Sequence, residues 1–145
     1  MAETVFTVLK REHKEIKRLM KDAEKDPAKF SSFAEELNTH VVAEEEIVYA
    51  QLKEEKTVHE MVMEGFEEHH VVDLIMQEMK AGRPGSEEWQ AKFKVMSENL
   101  EHHIEEEEEK MFPAAEKAIG RNKSFEMAEA FENAESKLVG SAGRS

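Results

Sequence analysis

Six residues stand out because their types can hold a metal ion and their spacing places them on helix faces. His103 and Glu107 are four apart, as are His40 and Glu44, so each pair lies one turn apart on one face. His13 and His69 stand singly, each just after a glutamate, in Glu12-His13 and Glu68-His69. All six interrupt apolar stripes of helical period. The stripes read Val5, Leu9, Ile16, Met20 and Ala23 around His13, and Phe30, Phe33, Leu37, Ile47 and Gln51 around His40 and Glu44. They read Val58, Met61, Gly65, Val72, Ile75 or Met76, and Met79 around His69, and Trp89, Phe93, Met96, Leu100, Met111, Ala114 and Ala118 around His103 and Glu107. An imidazole or carboxylate on a buried face is costly unless it is partnered, and a metal ion is the strongest partner available to such a set. A lone core histidine is ordinarily just hydrogen-bonded. Here the device is duplicated: helix with His, helix with His-x-x-x-Glu, twice.

Four long helices must position these residues. The first spans about residues 3–25. Asp26 caps a restart at Pro27, and the second helix continues to about residue 55. Thr57, with Glu60 as capping-box partner, opens the third, which ends at Gly82-Arg83-Pro84-Gly85. Ser86 caps the fourth, which reaches about Ile119 with a kink or local break expected at Pro113. Ser124 starts a shorter fifth helix to about Leu138, with Phe125, Met127 or Ala128, Phe131 and Leu138 apolar. Residues 140–145 read as a disordered tail, which leaves 1–139 as one domain. No segment has a strand pattern. Long helices joined by short connections make antiparallel neighbours. The expected fold is all-α: an up-down-up-down antiparallel four-helix bundle with an additional short C-terminal helix.

Composition narrows the function. A chain of 145 residues is one domain with room for a real core. Its net charge of -13 opposes nucleic-acid binding and adhesion to anionic membranes, and favours cations near the surface. With no cysteine there is no disulfide, thiol nucleophile, zinc–thiolate or iron–sulfur site. No apolar run approaches ~18 residues and no basic-then-apolar leader is visible, so a cytoplasmic location is expected. Neither a nucleophile constellation nor a phosphate loop suggests hydrolysis.

In a bundle the rows at His13, His40/Glu44, His69 and His103/Glu107 can meet at one depth. The duplication then gives a pseudo-twofold arrangement. His13, His40 and Glu44 come from one half, and His69, His103 and Glu107 from the other. Two ions, each with two imidazoles and bridged by two carboxylates, satisfy all six groups. Imidazole with carboxylate suits iron, manganese or zinc. Glu45 and Glu108 follow the paired carboxylates and could accept hydrogen bonds from ligands or bind metal by a shifted register. His70 falls beside Phe66 and Leu74 at a helix interface. His59, His102, Glu105, Glu106 and Glu109 read as solvated. Tyr49, the one tyrosine, aligns with Phe112 in the repeat; packing is its default reading, and spacing gives no support for a phenol at the site.

The pattern resembles the haemerythrin-like family, the HHE cation-binding domains, from about Val5 to Lys117. The resemblance rests on His13, then His40-x-x-x-Glu44-Glu45 ending in Val48-Tyr49, then Glu68-His69, then His103-x-x-x-Glu107-Glu108 ending in Met111-Phe112-Pro113. It implies a non-haem site of two Fe ions, oxo- or hydroxo-bridged when oxidised, ahead of Mn or Zn. Glu44 and Glu107 would bridge and the four histidines would be terminal ligands. Oxygen-carrying haemerythrins have His-x-x-x-His on the third helix. Here Gly65 lies four before His69 and Asp73 four after, so a fifth imidazole is missing. Gly65 in mid-helix costs about 1 kcal/mol relative to alanine and could leave room for water, dioxygen or a displaced ligand. His70, Tyr49, Glu45, Glu108 or water are the candidates to stand in. The expectation moves from reversible oxygen carriage to reaction with, or sensing of, O2, peroxide or nitric oxide, with catalase-like turnover as one version. The same donors suit a non-catalytic module for iron storage, buffering or sensing. A purely structural or interaction bundle, docking through the fifth helix, is the third reading.

Overall fold

A computed structural model describes residues 2–142, and among these all regular structure is helical. Helix α1 spans Val5–Lys25, with the Thr4 hydroxyl accepting from the Thr7 N–H. Asp26 accepts from the Ala28 N–H at 3.1 Å and opens a single 3-10 turn, Pro27–Lys29. Helix α2 runs Phe30–Ala43, passes through a π-helical turn, Glu44–Tyr49, and closes with Ala50–Leu52. Helix α3 spans His59–Ala81. Helix α4 runs Glu87–Glu106, passes through a second π-helical turn, Glu107–Met111, and finishes with Phe112–Ile119. Ser86 caps it, accepting from the Trp89 N–H at 3.2 Å. Helix α5 spans Arg121–Ala142.

Three expectations are corrected here. The Thr57–Glu60 capping box does not form. The fully buried Val58 takes the cap position without a side-chain bond, and His59 Nδ1 instead donates to the Lys53 carbonyl across the turn. The fifth helix is not short: its 22 residues match the 21 of α1. Gly120, at φ +82, ends α4 and lets α5 begin at once. Ser124 therefore lies inside α5, its hydroxyl donating to the Gly120 carbonyl at 2.7 Å. Residues 140–142 of the expected tail are helical, and 143–145 lie outside the described residues. Third, the inward stripes of α2 and α4 step by one position. A π turn carries one extra residue relative to the α ladder. After Glu44 the buried core is built by Val48, Tyr49 and Leu52, while Ile47 packs partly buried at its edge and Gln51 is exposed. After Glu107 the expected Met111 is joined by Phe112 and Ala115, while Ala114 packs partly buried at the edge and Ala118 is exposed. The helix continues through Pro113, and the local break lies just before it, in the π turn that ends at Met111.

The core divides into two apolar clusters. One gathers Val5–Leu9 of α1, Ala43–Leu52 of α2, Val58 and Val62, Met111–Ala115 of α4 and Met127–Ala134 of α5. The other gathers Ile16–Ala23, Phe30–Leu37, Val72–Met79 and Trp89–Ile104. Helix α1 leads from the first cluster to the second, α2 returns, α3 leads out again and α4 returns. Helix α5 packs on the first cluster alone, against α1 and α2. No described helix is long and apolar enough to cross a membrane.

Candidate metal centre

The layer between the two clusters is polar. It holds His13, His40, His69, His103, Glu44 and Glu107, none more than 5% exposed. The geometry thus brings all six sequence-selected residues together. Both glutamates begin their π turns, so the extra residue of each turn falls next to the site. Glu44, His69, His103 and Glu107 offer ligand atoms within 4.8 Å of one another, and His13, His40 and Glu44 do the same. Glu44 belongs to both groups. The rings pair as His13 with His40, at 5.0 Å between centroids, and His69 with His103, at 4.5 Å. Each imidazole turns Nε2 inward. His13 Nε2 lies 3.2 Å and His103 Nε2 3.4 Å from Glu107 oxygens, and His69 Nε2 3.3 Å and His40 Nε2 3.8 Å from Glu44 Oε1.

Outward, each Nδ1 meets a carboxylate from another helix. His13 bonds Glu108 at 2.7 Å, His40 bonds Glu12 at 2.8 Å, His69 bonds Glu45 at 2.8 Å and His103 bonds Glu68 at 2.7 Å. Nδ1–H donation fixes the ring orientation and, in a neutral imidazole, leaves the Nε2 lone pair facing the centre. Every one of these glutamates is the chain neighbour of a central residue. The sequence reading raised Glu45 and Glu108 as acceptors and missed Glu12 and Glu68 in that role. The signal for them was present in the repeated Glu-His pair.

Tyr49, whose default reading was packing and which was one of several candidates for the place of the missing imidazole, reaches the centre. Its fully buried hydroxyl donates to Glu107 Oε2 in a short hydrogen bond and lies 3.4 Å from His103 Nε2, while its ring stacks on His69 at 5.2 Å. The space expected beside Gly65 is filled by this phenol: a Cβ at residue 65 would lie 2.5 Å from the Tyr49 hydroxyl oxygen. Of the candidates to stand in for the fifth histidine, Tyr49 takes that space, and His70 is exposed.

Charge is distributed unevenly. Burial disfavours a charged His13, but the adjacent Glu107 carboxylate and the bond to Glu108 more than offset it and push its pKa up to about 9. His103 likewise rises to about 9, burial being outweighed by the charge and bonds of Glu107 and Glu68. His40, buried and beside His13, falls well below the ordinary imidazole value. Glu107, despite its burial, is held well below the usual carboxylate range by His103 and His13. Burial, then Glu107, pushes Glu44 well above it. Two carboxylates in one buried layer are therefore pushed in opposite directions.

The donor set fits bound metal. His13 Nε2, His69 Nε2, both oxygens of Glu44 and Glu107 Oε1 are buried and have no hydrogen-bond partner among the described residues. Orphans of this kind are expensive in a core unless something completes them, and nitrogen with oxygen donors suits iron, manganese or zinc. A family model described as Hemerythrin HHE cation binding domain matches residues 4–115. No curated protein and no solved structure matches the chain.

Proposed function

The chain belongs to the hemerythrin HHE cation-binding family, and from that premise we propose that it is a non-haem di-iron protein that reacts with or senses O2, peroxide or nitric oxide. His13 and His40 would hold one ion and His69 and His103 the other, with Glu44 and Glu107 between them. The observation that carries this reading is the set of buried, unpartnered nitrogen and oxygen atoms facing one another in a single layer. Bound iron would supply the redox chemistry. The chain's part is to set two ions side by side, to hold each imidazole from behind through Glu12, Glu45, Glu68 and Glu108, and to exclude bulk water with apolar clusters on both sides. In the same reading residues 1–139 form one up-down-up-down bundle with α5 added, which the alternation of α1 to α4 between the clusters supports. The protein then works in the cytoplasm, and manganese and zinc rank behind iron.

Anaerobic ferrous loading, metal analysis and a spectrum after exposure to air test the reading. Two irons per chain, with the near-ultraviolet absorption of a bridged ferric pair, are expected. Iron that binds without that absorption sinks the redox reading. Oxygen evolution from added peroxide tests the catalase-like version.

A second reading, a non-catalytic module for iron storage, buffering or sensing, is favoured by Tyr49, which fills the space beside Gly65 that a small oxidant would use. It predicts a redox-inert centre whose occupancy raises the melting temperature.

A further inference from the structure

One pocket reaches the buried layer through acidic walls. It lies between α3 and α4, holds about 190 Å³, and is lined by Glu64, Glu68, His102, Glu106 and Glu107, with Met61 and Met111. Glu64 and Glu68 are one turn apart on α3, and His102 and Glu106 one turn apart on α4, so two short polar ladders face each other. Glu107 belongs to the buried layer: it is 1% exposed, and its Oε1 has no hydrogen-bond partner. The pocket thus joins surface carboxylates to a carboxylate of the buried layer. Glu68 also holds His103 Nδ1, and Glu106 meets the exposed Lys110 at 3.4 Å.

We propose that this acidic pocket is the portal through which a divalent cation is captured, exchanges water for carboxylate oxygens, and passes to the buried centre by way of Glu107. The proposal rests on the di-metal reading above. Carboxylate oxygens suit a hydrated divalent cation on its way to imidazole-rich sites. A cleft whose charged lining residues are carboxylates, on a chain of net charge -13, concentrates cations. The groove between α2 and α3 is the competing route. It reaches His69, whose Nδ1 is already committed to Glu45, so a cation arriving there meets no free donor on that ring's outer edge.

The test uses the full chain, stripped of metal with a chelator and mixed anaerobically with Co²⁺, whose visible absorption reports its binding. Glu64→Gln with Glu106→Gln should slow uptake about tenfold or more, since steering by one-sign clefts spans that range. The final Co²⁺ per chain and its spectrum should match wild type, and the wild-type rate should fall as salt rises. A control in the other groove, Glu67→Gln with Asp73→Asn, should load at the wild-type rate. If the double variant loses its helical circular dichroism, Glu64→Gln alone, at an exposed position, carries the test. A wild-type rate in the pocket variants, or slowing in the groove variants instead, overturns the portal and leaves the di-metal reading intact. Failure of the wild-type chain to take up Co²⁺ overturns the di-metal reading itself, and the portal with it.

Discussion

Glu12, Glu45, Glu68 and Glu108 each adjoin a central residue in sequence and bond a histidine on a different helix. Every outer carboxylate therefore ties two helices together while it orients a ring. Glu45→Gln keeps the size and an acceptor but loses the charge behind His69. Metal affinity should drop by about 10- to 100-fold, measured by competition with a chelator, with helical content unchanged. Glu105→Gln, on the exposed face, should leave affinity as it was. At this scale the six central residues were legible because polar groups inside apolar stripes are conspicuous. Tyr49 was not, because nothing about a lone tyrosine among apolar neighbours separates packing from a hydrogen bond to Glu107.

The two π turns explain why. A strict helical period carried past Glu44 points Ile47 and Gln51 inward. One extra residue turns Val48, Tyr49 and Leu52 inward instead. The second π turn does the same for Phe112 and Ala115, which is why both halves shift alike. Gly65 is the counterpart of this shift on α3. By helix propensity Gly65→Ala gains about 1 kcal/mol. The overlap of a new Cβ with the Tyr49 ring, 2.5 Å from its oxygen and 2.8 Å from Cζ, costs about 1–3 kcal/mol and should win. Urea denaturation should therefore show Gly65→Ala to be destabilising. In a Tyr49→Leu background, with the ring gone, the same substitution should turn neutral or stabilising, and the double-mutant cycle measures the coupling.

For the molecule as a whole, protons and metal compete for one layer. His13 and His103 have pKa values near 9 in the fold against 6.5 ordinarily. The folded chain thus binds these protons more tightly than the unfolded one. That stability is fully present below about 6.5 and is lost as pH rises through about 9. Chelator-treated protein should accordingly melt at a lower temperature at about pH 9 than at about pH 6. Metal must displace the same protons, so its affinity should rise with pH across that window, with proton release on binding. Thermal scans with and without metal at both pH values check the two signs. Loaded protein that loses stability as steeply as stripped protein on going alkaline would contradict this linkage.

The sequence by itself determined the helical class, the duplicated His and His-x-x-x-Glu device, the family and the candidate donors. These follow from local periodicity and residue chemistry, which a linear chain displays. Other features were decided only by the tertiary structure. The π turns depend on which side chains the neighbouring helices admit, so no local pattern announces them. The pairing of each outer glutamate with a particular histidine depends on helices brought side by side from distant parts of the chain, 95 residues apart for His13 and Glu108. The length of α5 turned on one positive-φ glycine, and its place on the first cluster turned on Met127 and Phe131 finding apolar surface left open by α1 and α2. Tyr49 entered the centre because Gly65, on another helix, has no side chain to keep it out.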